Sequence, residues 1–281
     1  RELYRKAAEI GLIGLGYPEE YGGTPVDDPM YSIVTAEELA RLGAGGVNAS
    51  LMVHGIGLPP VLAIGSEAIK ARVAPQVLAG EKIHALAITE PSGGSDVANL
   101  KTRAVRDGDH YVVNGSKMFI TGGMRADFYT VAVRTGGPGA KGISLLLLER
   151  DMPGFTRTPL KKQGWWSSDT AALYFDDVRV PKENLIGEEN QGFLGVMLNF
   201  NNERIGLAAS AVAHARVCFE DALAWARDRE TFGKRLADHQ VIRHKFAEMA
   251  RKIAATQAYL EQCVARVKAG ETPVADLSLL K

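Results

Sequence analysis

The sequence predicts an α+β chain, mainly α, in three consecutive parts. These are an N-terminal helical domain over residues 1–82, a central antiparallel β-barrel or sandwich over 83–187, and an incomplete C-terminal antiparallel helical bundle over 188–281. Apolar residues recur at helical spacing up to about residue 82, the period falls to two from there to Gly187, and the helical period then returns. Glycine and proline clusters separate the short strands of the middle part. At 281 residues the chain can bury a large core and form more than one domain.

In the first part, Leu3, Ala7, Ile10 and Leu12-Ile13 make one apolar helical face, Tyr31 to Leu42 a second and Ala68 to Leu78 a third. Turn clusters are expected at Pro18 to Gly23 and at Gly55 to Pro60. In the second part strands are expected at Ile83 to Ile88, Thr102 to Val105, Tyr111 to Val113, Phe128 to Arg134, Ile143 to Leu148 and Ala171 to Phe175. Asp107-Gly108-Asp109 reads as a turn, and Asn114-Gly115 as a type I′ hairpin turn, because both residues accept positive φ. In the third part an alanine-rich helix spans Ile205 to Ala226 and another Gln240 to Val267.

Lys+Arg and Asp+Glu balance at 33 each, which argues against a general nucleic-acid or membrane-surface binder. Apolar residues make up 46% and charged residues 23%, as in an ordinary globular protein. No apolar run is read as long enough to span a bilayer, and the start RELYRKAAEIGL does not read as a signal peptide. Cys218 and Cys263 lack metal-ligand spacing and are expected to be buried, inert thiols in a reducing cytoplasm. Arg1 already lies in an amphipathic segment and Lys281 closes a run still reading as helix, so the chain is expected to be part of a longer one.

Four segments carry candidate chemistry. Leu86 to Asp96, LAITEPSGGSD, is a strand running into a glycine turn whose amides and Ser95 hydroxyl could cradle phosphate, or an ordinary loop. It is not a dinucleotide fingerprint, because G-x-G-x-x-G is absent. Phe119 and Thr121 share a strand face, which suits a flat ring with a polar edge or a plain cross-strand pair. The basic loop Arg229 to Arg235 before His239-Gln240 suits an anion, or is a solvated interhelical turn. Asn201-Asn202-Glu203-Arg204 reads as the start of the alanine-rich helix, with asparagine as N-cap and Glu203 stabilised by the helix dipole.

Together and in order, these segments resemble the acyl-CoA dehydrogenase family. The resemblance rests on Tyr17 to Gly23, Thr89-Glu90-Pro91 with Gly94-Ser95-Asp96, and Asn114 to Lys117 with Ile120-Thr121. It continues through Phe175 to Pro181, Asn184 to Gly187, and Arg229 to Lys234 with Gln240.

The resemblance implies an FAD enzyme that desaturates an acyl-CoA between Cα and Cβ and passes electrons to an electron-transfer flavoprotein. By position, Leu86, Ile88, Thr89, Gly94, Ser95, Phe119, Ile120 and Thr121 would contact FAD, with Phe119 packing on the flavin. Arg229, Thr231, Phe232 and Gln240 would contact the FAD of a neighbouring subunit in a homotetramer or homodimer. Ser95, Asn201 and Arg204 would bind the acyl-CoA, Arg204 through the CoA phosphates. In most of the family the base that takes the α-proton lies late in the C-terminal bundle, beyond Lys281 in this sequence. Glu203 falls where the isovaleryl- and long-chain-type members carry it, and is the leading candidate of the two. Gly93, Phe119 and Trp165-Trp166 depart from the common family residues. The alternatives are an acyl-CoA oxidase using oxygen and a non-catalytic flavin- or CoA-binding relative. The expected setting is the cytoplasm, or the mitochondrial matrix in a eukaryote.

Overall fold

The structure, a computed structural model, describes the backbone of residues 1–281 and the side chains of all but 198, 199, 201 and 202. In chain order the helices are α1 (Glu2–Glu9), α2 (Met30–Arg41), α3 (Gly45–Leu51), α4 (His54–Ile64), α5 (Glu67–Leu78), α6 (Gly192–Asp228), α7 (Gln240–Lys268) and α8 (Val274–Leu280). The strands are β1 (His84–Ala87), β2 (Arg103–Asp107), β3 (His110–Thr121), β4 (Phe128–Arg134), β5 (Ile143–Glu149), β6 (Phe155–Pro159), β7 (Thr170–Pro181) and β8 (Leu185–Ile186). Two further strands, β9 (Glu230–Thr231) and β10 (Lys234–Arg235), form a small hairpin. The chain divides into two compact units: Arg1–Pro25 with Gly46–Phe200, and Val26–Gly45 with Asn201–Lys281.

The first unit holds an eight-stranded sheet in the order β6-β7-β3-β2-β4-β5-β8, with β1 added in parallel to β4. Most pairs are antiparallel; β2 also meets β4 in parallel through Arg103 and Arg134 alone. The sheet is open, so of the two expected forms, barrel or sandwich, the barrel is not formed. Its end strands β6 and β8 do not pair, and β8 is only two residues long, too short an edge to close the circle. β4 and β5 are apolar without alternation because both faces are covered: Val131 to Val133 and Leu145 to Leu148 are all buried.

Three turn and strand expectations change. Gly55 to Pro60 is not a turn but part of α4, which contains both Pro59 and Pro60. The segment is apolar on every side, and burial of Leu58, Pro60 and Val61 overrides the local preference of proline. Asn114-Gly115 is not a hairpin turn either. β3 runs straight through it, and the turn lies at Gly108. At Gly115 (φ +141°) the β3–β7 register slips after Val113, while the Asn114 side chain exchanges hydrogen bonds with Asp177. β6 was not anticipated, because its burial follows no period-two pattern.

Residues 45–64 reach the length and mean hydropathy (1.5) of a membrane span, contrary to the sequence reading. They form α3 and α4, however, and pack Leu51, Val53, Leu58 and Val61 into the core of the first unit.

The second unit is helical. Ile33 of α2, Ile205, Ala208 and Ala209 of α6, Leu260, Cys263 and Val264 of α7 and Leu277 and Leu280 of α8 form its core. The alanines let the helices approach closely. Lys268 pairs with Asp28, and Arg266 and Tyr259 both donate to Asp276 of α8, at 2.6 and 2.9 Å. Cys263 is buried as expected, but Cys218 is exposed on α6.

Candidate functional site

β1 ends at Ala87, and the chain continues as Ile88-Thr89-Glu90 alongside β3. The Met118 amide donates to the Thr89 carbonyl at 2.8 Å. Glu90 and Gly93 exchange backbone hydrogen bonds of 3.1 and 3.0 Å, closing a tight turn around Pro91-Ser92. Gly94, Ser95 and Asp96 follow as an exposed strip. Leu86 and Thr89 are half-buried, whereas the Ile88 side chain is in the core, so any ligand contact from Ile88 runs through its backbone.

Beneath this segment lies a buried ion pair. The Lys117 ammonium donates to Glu90 Oε1 at 2.9 Å and to the Ile88 carbonyl at 3.1 Å, and both charged side chains are almost wholly inaccessible. Glu90 also accepts from the amides of Lys101 (2.6 Å) and Thr102 (2.9 Å). Burial pushes the Lys117 ammonium down to about 8, against the pull of Glu90. For Glu90 burial acts to raise the carboxyl, but Lys117 and the two amides outweigh it and hold the group below the usual carboxylate range.

At the far end of β3 a second register slip lies between Lys117 and Ile120. Phe119, inside the slip, has φ +61° and a 67% exposed ring. A phenylalanine in the left-handed region costs on the order of 1–3 kcal/mol, and such strain collects at ligand sites. Ile120 turns its side chain into the core, while Phe119 before it is exposed and Thr121 after it is half-buried. Asp169 fixes the turn that follows, accepting the Gly122 amide on its carbonyl (2.9 Å) and the Met124 amide on its carboxylate (2.8 Å).

In the second unit Glu203 and Arg204 are half-buried on α6. They are not at a helix start. α6 begins at Gly192, three turns earlier, so the N-cap and dipole account of Glu203 is overturned. Asn201 lies outside the described side chains. The basic loop is the β9–β10 hairpin, whose two turn residues Phe232 (φ +50°) and Gly233 (φ +74°) both have positive φ, as a type I′ turn requires. Phe232 is 96% exposed, Arg229 is exposed and Thr231 is half-buried beside His239. Gln240 is the exposed first residue of α7.

Glu90 and Lys117 stand inside the motifs of the chain, but nothing in those motifs marks the two as a pair. The available signal was an acid ending an apolar run and a lysine inside a strand otherwise facing the core. Nor does the sequence foretell that Trp165 (φ +53°) and Trp166 are exposed on a loop tied by Lys162 to the Trp165 carbonyl. Among the described residues no group of three or more side chains could hold a metal.

Three family models match in succession: the acyl-CoA dehydrogenase N-terminal domain over residues 1–81, the middle domain over 85–178 and the C-terminal domain over 190–281. An acyl-CoA dehydrogenase of Alternaria alternata is 43% identical over 83% of this chain and 54% of its own length. The mitochondrial long-chain specific acyl-CoA dehydrogenase of Rattus norvegicus is 38% identical over 94% of this chain and 62% of its own. The chain thus spans a little over half the length of these relatives. A crystal structure described as a probable acyl-CoA dehydrogenase from Mycobacterium abscessus superposes with a TM-score of 0.96 at 50% identity, over 99% of this chain and 74% of that one. From the succession of domains, the fold and the identities, the chain belongs to the acyl-CoA dehydrogenase family.

Proposed function

We propose that the protein is an FAD-dependent acyl-CoA dehydrogenase that removes hydrogen from Cα and Cβ of an acyl-CoA thioester. The observation that carries this reading is Glu203. It sits half-buried in the interior of α6, directly before Arg204, where no capping role accounts for it.

The residues present suit a flat ring with polar edges. Phe119 offers an exposed ring on strained backbone, Thr89 and Thr121 offer half-buried hydroxyls, and Gly94-Ser95 offers an exposed strip beside them. Leu86, Thr89, Phe119 and Thr121, with the backbone of Ile88 and Ile120, would hold the ring, and Ser95 the adjoining thioester. When bound, FAD supplies the two-electron acceptor that no side chain can be. Glu203 takes the α-proton, made acidic by the thioester carbonyl, and hydrogen bonds to that carbonyl oxygen stabilise the developing charge. Arg204 attracts the CoA phosphates. The exposed hairpin with Arg229, Thr231 and Phe232, and Gln240 after it, would meet the FAD of a neighbouring subunit in a homotetramer or homodimer.

The proposed electron acceptor is an electron-transfer flavoprotein, in the cytoplasm or, in a eukaryote, the mitochondrial matrix. Stoichiometric hydrogen peroxide during turnover would assign oxygen as acceptor instead. Glu203→Gln tests the base: substrate-dependent bleaching of the flavin is expected to slow by about 10²–10⁴-fold. Undiminished bleaching removes Glu203 from the role.

A further inference from the structure

The Glu90–Lys117 pair is buried, yet it ties together three segments of the first unit: β3, Ile88 to Glu90, and Lys101-Thr102. Lys117 of β3 reaches the Ile88 carbonyl and the Glu90 carboxylate, while Glu90 gathers the amides of Lys101 and Thr102 just before β2. Thr102 in turn donates its hydroxyl to the Ser116 carbonyl at 3.1 Å. The segment so held, Ile88 to Glu90, lies beyond the last residue pair of β1 with β4, at Ala87. On the other side Lys117 is the last residue in register before the slip that exposes Phe119. The pair therefore stands where two ends of the candidate flavin wall leave the regular ladder and no strand pairing sets their separation.

Stability alone does not require a charged pair there. Buried ion pairs are commonly replaceable by apolar residues of similar size without loss, because the desolvation of both charges offsets their attraction. What an apolar pair cannot supply is direction. The lysine's donors and the carboxylate's oxygens each demand a partner at about 2.6–3.2 Å along a fixed axis, which fixes the backbone atoms at their ends.

We propose that Glu90 and Lys117 are positioning residues that set the spacing between Ile88-Thr89 and Phe119-Thr121, and through it the grip on the isoalloxazine ring. This rests on the flavin reading of the wall. Neither residue touches the cofactor; they act through the Ile88 carbonyl and the Thr89–Met118 hydrogen bond.

The test compares the parent protein with Lys117→Met, the double variant E90Q/K117M and the conservative Lys117→Arg, using FAD itself as the probe. Melting temperature, FAD affinity and the visible circular dichroism of bound flavin are read for each. The double variant leaves no buried net charge and is expected to fold and melt near the parent. Its affinity for FAD is nevertheless expected to fall at least about tenfold, with an altered visible spectrum and faster amide exchange at Met118. Lys117→Arg, which keeps the charge and donors, is expected to recover part of the affinity. A double variant with parental melting, affinity and flavin spectrum would overturn the proposal, leaving the pair a structural one. Should the parent not take up FAD at all, the flavin reading falls too, and the two failures are told apart by that first measurement.

Discussion

Two regions of the molecule each present an aromatic side chain on left-handed backbone, and they are held in opposite ways. Phe119 lies in a register slip just after a lysine buried against Glu90, while Phe232, 96% exposed, sits on a two-residue turn closed by its own hairpin. In the first case the strain accompanies long-range pairing: Phe119 lies in a register slip against β7, two residues after a lysine that meets a glutamate 27 residues away. In the second it is local, since Phe232 and Gly233 adopt the pair of positive φ values that such a turn demands. The difference teaches that the same exposed geometry can be either a property of the core or a property of four consecutive residues. The two kinds should respond differently to perturbation.

The largest effect expected is acid. His54 donates Nε2–H to the Ile13 carbonyl, and His84 donates Nε2–H to the Thr130 hydroxyl, which itself donates to the Gly57 carbonyl. Both rings lie buried behind β1, each with Nδ1 unpartnered. Burial lowers His54 to about 4 and His84 to about 3, His84 further by the nearness of His54. In the unfolded chain both titrate near about 6.5, so between these values the unfolded state binds more protons. Stability is thus full above about pH 6.5 and falls as pH drops toward 4 and then 3, by about 1.4 kcal/mol per unit for each histidine. Melting temperatures measured from pH 7 to 4.5 should fall steeply; a flat profile would mean the packing does not keep these rings neutral.

Next in size is Lys117→Met. Leaving Glu90 charged and buried without its partner should cost about 3–5 kcal/mol in denaturant unfolding, most of it recovered in the double variant with Glu90→Gln. A loss below about 1 kcal/mol would place the network on the same footing as the exposed hairpin.

Two glycines sharpen the contrast further. At Gly115 a Cβ would stand 2.8 Å from the Thr102 Cα at φ +141°, while at Gly233, φ +74°, it would meet nothing within 4 Å. Gly115→Ala should therefore cost about 2–4 kcal/mol from strain and crowding together. Gly233→Ala should cost only about 1–2 kcal/mol, the left-handed penalty alone. Equal losses would refute the distinction between core-held and locally held backbone.

The smallest effect belongs to Phe232→Ala, which should change stability by no more than about 0.5 kcal/mol because the ring is nearly all in solvent. A calorimetric loss above about 1 kcal/mol would show that the ring packs within this chain.

Much of the plan was legible from periodicity. The switch from 3.6 to 2 and back marks helices, sheet and helices, and the ends of β4 at Phe128 and Arg134 are those read from the residues alone. Local turn chemistry was less decisive. Asn114-Gly115 has the composition of a type I′ turn yet lies inside a strand, since β3 pairs along its length with β2 and β7; Phe232-Gly233 makes the turn instead. Likewise Pro59-Pro60 signals a break, but burial of Leu58, Pro60 and Val61 in α4 overrides it. Glu203 had the composition of a first-turn residue, and only the unbroken course of α6 from Gly192 removed that account.

The sequence by itself determined the order of helical and sheet segments and the motif residues by which the family is recognised. These depend on the spacing of apolar side chains and on short, local patterns, which are fully written in the chain. Of the apolar helical faces the sequence marked, Ala7, Ile13, Ile33 and Ala40 reach the cores, while Leu3, Ile10, Tyr31 and Leu42 stay exposed. Tertiary structure alone decided that the sheet stays open, that Phe119 is strained and exposed, and that Glu90 meets Lys117 in the buried interior. Each of those is an encounter between residues distant in sequence, where desolvation and competing strand partners, not local propensity, select the outcome.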